Sequence, residues 1–124
     1  IGFKVTGVDF ATNCLDDGVN ITFVEACLWD LPKRLTAKWG YCTDVMEHIP
    51  TEKVSDVLKS IASAVDGCFY NIATCDDNCG LLIGRKLHMT VMLAEGWIKE
   101  MRKHWKEVVE VGRTNSSVLI VCKK

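Results

Sequence analysis

Phe3-Lys4-Val5-Thr6-Gly7-Val8-Asp9-Phe10-Ala11 is the stretch whose reading decides the fold. Apolar and polar residues alternate along it, the period of a half-buried strand, and the run ends on an acid followed by an aromatic ring. In an open α/β sheet, ligands bind outside the carboxyl ends of the strands. A carboxylate there can accept hydrogen bonds from both hydroxyls of a ribose, while Phe10 lies against a flat base. Asp9 can equally cap the turn that follows it, and its spacing alone leaves both readings open.

Outward from this run the pattern alternates between period 2 and period 3.6, which indicates an α/β fold with a largely parallel sheet. Residues 11–17 read as a short helical turn closed by Gly18, 20–27 as a second strand, 28–32 as a loop and 39–43 as a third strand. Thr51 is expected to N-cap a helix in which Val54, Val57, Leu58, Ile61 and Val65 recur at helical spacing, with Asp66-Gly67 marking its end. A fourth strand over 68–73 and a polar loop over 74–80 follow. Residues 90–105 read as an amphipathic helix with Trp97 and Trp105 on its core face. Arg102, Lys103 and Lys106 suit the dipole at its end, and His104 among them is expected to be solvated. Two last strands, 108–111 and 118–122, are joined by a turn too short for a parallel crossover, so they must be antiparallel. The expectation is one domain over 1–124, its sheet mostly parallel with an antiparallel C-terminal hairpin.

Bulk properties narrow the partners. A length of 124 residues suits a single domain. The net charge of -1, from 15 basic and 16 acidic residues, gives no clustered basic footprint for nucleic acid. No stretch approaches the ~20 apolar residues that cross a bilayer, so no membrane is expected. The seven cysteines are an odd set. Cys27, Cys42, Cys68 and Cys122 sit in apolar runs, where a free thiol acts as a small hydrophobe, and this suits a reducing, cytoplasmic compartment. Cys75 and Cys79 lack the second pair that a tetrahedral zinc needs, so no metal is expected.

Two further runs sit just past strand ends: Ala26-Cys27-Leu28-Trp29-Asp30-Leu31-Pro32 and Cys42-Thr43-Asp44-Val45-Met46-Glu47-His48-Ile49-Pro50. With the opening run they resemble, in order and spacing, the motifs after strands 2, 3 and 4 of class I S-adenosylmethionine-dependent methyltransferases. The resemblance covers essentially the whole chain. It implies a Rossmann-like sheet, S-adenosylmethionine as cofactor, and transfer of a methyl group to a small-molecule acceptor. It also implies that Asp9 holds the ribose, Phe10 packs on the adenine, and Cys27 and Leu28 border the adenine edge. Cys42 and Thr43 then face the methionine part, and Glu47 and His48 stand on the substrate side. The candidate catalytic residues, as general bases, are His48 and His88, the latter in the segment leading into the last helix.

The chain also departs from that family. Cys27 stands where an Asp is usual, with Asp30 three residues on, and Lys38 stands where many members have an acid. The glycine-rich turn, with the family's first strand and helix, has no counterpart and is expected ahead of Ile1, as if a longer parent had been shortened. That strand belongs between those ending at Asp9 and Thr43. Without it, two edges carry backbone groups costing about 1 to 3 kcal/mol each if buried unsatisfied. Direct pairing of the two strands, or a second subunit in a homo-oligomer, are the other ways to satisfy them. The alternative function is a degenerate module of the same fold that binds adenosyl ligands or oligomerises without catalysis. Trp29 and Trp39 border the motif loops, where either could line a pocket for a flat acceptor, and burial is the first expectation for both.

Overall fold

Two short runs with β-branched residues, β1 (Thr6–Asp9) and β2 (Thr22–Glu25), pair in parallel with Asp9 opposite Glu25 at their carboxyl ends. The computed structural model describes residues 2–13 and 15–124. A second sheet holds β3 (Ala37–Thr43), β4 (Val65–Ala73), β5 (Glu107–Arg113) and β6 (Ser117–Lys123) in the order β3-β4-β6-β5. β3 and β4 are parallel, whereas β6 runs antiparallel to both β4 and β5. This is the mixed α/β architecture expected, with a parallel part and an antiparallel terminal hairpin.

β1 and β3 lie in different sheets. The two strands expected to flank the family's first strand therefore do not pair directly, and each keeps one edge without a strand partner among the described residues. The β1–β2 pair is tied to the rest through the 3-10 turn Leu28–Asp30, which packs on α1 (Val54–Ala64). The Leu31 N–H also donates to the Ser60 hydroxyl at 3.1 Å.

The core lies between one face of the four-stranded sheet and two helices, α1 and α2 (Ala94–Met101). Val54, Val57, Leu58 and Ile61 recur at helical spacing and are all buried. They pack in one cluster with Tyr70 and Ile72 of β4, Val118, Ile120 and Cys122 of β6, and Trp97, Met101 and Trp105. Strand alternation sends Tyr41 and Phe69 to the other face, where their rings stack at 5.5 Å. Gly67 is a close-approach position: a Cβ there would lie 2.7 Å from the Trp39 ring and 3.1 Å from the Cys122 carbonyl.

Several local expectations are corrected. Among the described residues, 11–17 form bends and not a helix. Asp16 Oδ1 accepts the Gly18 N–H at 3.0 Å, so side-chain bonding competes with a helix too short to nucleate. Thr51 does not cap α1. It opens the 3-10 turn Thr51–Lys53, and its hydroxyl engages Thr90 instead. Val65 begins β4, so Asp66-Gly67 lies within a strand, where Gly67 pairs with Lys123. α2 is shorter than the 90–105 pattern at both ends, spanning Ala94–Met101, with Thr90 bonded instead to the Glu47 and Ile49 carbonyls. His104 is half-buried and bonds the Ser55 hydroxyl at 2.9 Å. Trp97 and Trp105 are buried as expected, but Trp39 is 57% and Trp29 39% exposed, against the burial expected for both. Among the described residues no helix is long and apolar enough to cross a membrane.

Trp97 is fully buried at the centre of the cluster. Trp97→Ala should cost about 3–5 kcal/mol, seen as a lower urea midpoint with an unchanged slope.

Candidate functional site

The end of β3 turns sharply. Asp44 has φ 54°, a left-handed conformation uncommon outside glycine, and its N–H donates to the Asn71 carbonyl of β4 at 3.0 Å. The chain then enters the 3-10 turn Met46–His48, which buries Met46 and Glu47. Glu47 is 1% exposed. Its Oε1 accepts the Ala73 N–H at the end of β4 at 3.1 Å, while its Oε2 is buried without a hydrogen-bond partner among the described residues.

A distant segment is clamped onto this turn. The Thr90 N–H donates to the Glu47 carbonyl at 3.0 Å. The Thr90 hydroxyl donates to the Ile49 carbonyl at 2.7 Å and lies 2.8 Å from the Thr51 hydroxyl. His48 Nδ1 sits 3.0 Å from the Leu87 carbonyl, and His88 Nδ1 sits 2.6 Å from the Cys75 carbonyl. A carbonyl can only accept, so each Nδ1 donates, and the tautomer protonated there leaves the lone pair on Nε2. The two rings meet edge to face, 5.1 Å between centroids.

Asp77 holds the loop that carries His88. Its Oδ1 accepts the Gly80 N–H, and its Oδ2 accepts the Leu87 and His88 N–H groups at 2.9 and 3.1 Å. These amides, Gly80 foremost and then His88, lower its pKa from 3.8 to about 2. Gly80 is required in this loop because a Cβ there would collide with the Arg85 carbonyl.

The adenosyl-side candidates sit at the ends of β1, β2 and β3. Asp9 is half-buried, and its Oδ1 accepts the Ala11 N–H at 2.9 Å, so the capping role is realised. Its Oδ2 carries no hydrogen bond among the described residues. Phe10 is 74% exposed. Cys27 is half-buried at the start of the Leu28–Asp30 turn, and Leu28 packs against the core. Cys42 is buried, and that burial pushes its thiol well above the usual range, so it packs as a neutral group. Thr43 is half-buried at the strand tip. The structure thus groups Glu47, His48 and His88 tightly, with ligand atoms within 4.8 Å of one another. Sequence reasoning missed Asp44, Asp77 and Thr90. Only Asp77 left a signal, since Asp77-Asn78-Cys79-Gly80 is an acid-to-glycine turn pattern.

No protein-family model matches the chain, and no curated protein matches it either. Solved structures do. The PH0226 protein from Pyrococcus horikoshii OT3 is 14% identical with a TM-score of 0.74, covering 98% of this chain and 72% of its own. The small RNA methyltransferase HEN1 is 15% identical with a TM-score of 0.68, covering 96% of this chain and 20% of its own. The magnesium protoporphyrin IX methyltransferase ChlM from Synechocystis PCC 6803, with bound SAM, is 19% identical with a TM-score of 0.66, covering 99% of this chain and 60% of its own. The chain therefore has the class I methyltransferase fold, and it spans only part of the length of these proteins.

Because the folded pKa of Asp77 lies below its ordinary value, its loop bonds are intact above about pH 3.8 and are lost as pH falls toward about 2. Asp77→Ala at neutral pH should open the same loop, read as faster hydrogen exchange at the Leu87 and His88 amides with β4 and β6 amides unchanged.

Proposed function

We propose that the chain belongs to an S-adenosylmethionine-dependent methyltransferase acting on a small-molecule acceptor. The observation that carries this reading is the carboxyl of Asp9, at the tip of a parallel strand with Oδ2 free of hydrogen bonds among the described residues, in a fold whose solved relatives include enzymes holding SAM. The fit is physical: an acceptor oxygen beside an exposed aromatic suits a ribose followed by a flat base.

When bound, the cofactor supplies a methyl group activated on a sulfonium. The chain's own residues do the rest. Asp9 holds the ribose hydroxyls, Phe10 covers the adenine, and Cys27 and Leu28 border its edge. Cys42 and Thr43 form the β3 tip on the methionine side, where the buried Cys42 acts through backbone and volume. Displacement at an activated methyl needs no enzyme nucleophile, so the rate gain comes from holding donor and acceptor in line. The Nε2 lone pairs of His48 and His88 can accept a proton where the acceptor must lose one. A small acceptor suits the near balance of 15 basic and 16 acidic residues, which gives no polyanion footprint.

Calorimetric titration with S-adenosylhomocysteine tests the reading. The wild-type chain should bind, and Asp9→Ala should lose about 1.5 to 3 kcal/mol, the worth of hydrogen bonds to a charged group. Equal binding by both would remove Asp9 from the site. No binding by either, with a stable oligomer in light scattering, would favour the non-catalytic module.

A further inference from the structure

We infer that Glu47, His48 and His88 form a binding site for a divalent transition-metal ion, with Glu47 Oε2 and the two histidine Nε2 atoms as ligands. Three independent features support it. One possible ligand atom from each of the three residues, an imidazole nitrogen or a carboxylate oxygen, lies within 4.8 Å of the other two, close enough to share one ion. Both histidines have Nδ1 engaged by a backbone carbonyl, Leu87 for His48 and Cys75 for His88. That hydrogen bond to the backbone fixes the tautomer that offers Nε2 to a metal. Glu47 is 1% exposed, and its Oε2 has no hydrogen-bond donor among the described residues. A buried carboxylate oxygen without a partner is costly, and a cation at this position satisfies it.

The donor set narrows the ion. Two imidazoles and one carboxylate suit zinc, iron(II) and their first-row neighbours, whereas magnesium and calcium prefer all-oxygen shells. Three protein ligands also leave coordination positions open, the mark of a working site and not a closed structural one. Proton acceptance and metal ligation by the same Nε2 lone pair exclude each other, and the orphaned Glu47 oxygen favours ligation. The role of the open positions, holding an oxygen of the methyl acceptor, rests on the methyltransferase reading. Metal binding itself does not.

The ligands are spread over two segments joined by Thr90, so the site is assembled by the fold. This departs from the sequence expectation of no metal, which weighed only the local cysteine pair.

Cobalt(II) titration of the purified chain, without any adenosyl ligand, tests the inference. The wild-type chain should bind one equivalent and develop visible d–d absorption bands. His88→Ala and Glu47→Gln should each lose at least about tenfold in affinity, the lower end of what removing even an outer-shell partner costs. His104→Ala, which alters a histidine bonded to Ser55 outside the cluster, should bind as the wild type does. Circular dichroism of each variant checks folding, and His88→Ala removes a half-buried ring that is not in the core cluster. Absence of cobalt binding by the folded wild-type chain, or unchanged affinity and bands in His88→Ala, would overturn the site. Cobalt binding that depends on His88 supports it, whether or not S-adenosylhomocysteine binds.

Discussion

The carboxyl of Glu47, buried where the turn after β3 meets the end of β4, is the constraint on which the rest of the site depends. Its Oε1 is fixed by the Ala73 N–H, and its backbone carbonyl is fixed by the Thr90 N–H. The same residue thus ties a strand tip, a turn and the segment before α2. Burying such a group is expensive unless its oxygens find partners. One oxygen has a backbone donor, and the carboxyl stands beside two histidines. The costly group therefore sits at the carboxyl end of the parallel strands β3 and β4.

Around it the structure divides its labour. The β3–β4 ladder and the antiparallel β5–β6 hairpin bury one face under α1 and α2, and this gives the rigid frame. Of the adenosyl-side candidates, Asp9 and Phe10 stand at the end of a second, smaller sheet, attached through the Leu28–Asp30 turn and the Leu31–Ser60 hydrogen bond, whereas Cys42 and Thr43 belong to the larger one. Fewer contacts hold the β1–β2 pair than hold β3 to β6, so it is the part whose stability gains most from a ligand bound across its strand ends. The clamp of Thr90 on Glu47, Ile49 and Thr51 holds the turn after β3 independently of it.

The frame was legible in the sequence wherever periodicity was strong. The Val54, Val57, Leu58 and Ile61 stripe located α1, and the turn-rich 112–116 segment located the antiparallel hairpin. Where tertiary bonds outweighed local preference, the reading failed. Thr51 looks like a helix cap, but its hydroxyl is taken by Thr90, which no sequence window contains. Asp66-Gly67 looks like a helix stop, but ladder pairing with β6 draws it into β4. Trp39 looks buried but lies over Gly67 on the open face. Within the site, the Glu47-His48 motif could be read, whereas its meeting with His88 depends on Asp77 and Thr90 folding a distant loop back.

The account rests on an adenosyl ligand lying across the tips of β1, β2 and β3. Amide chemical-shift mapping of the 15N-labelled chain with saturating S-adenosylhomocysteine tests this most directly. The account predicts shifts concentrated at Asp9, Phe10, Leu28 and Thr43, with the β5 amides of Val108 and Val109 unmoved. Shifts confined to residues away from those strand tips, or no shifts at all, would contradict it.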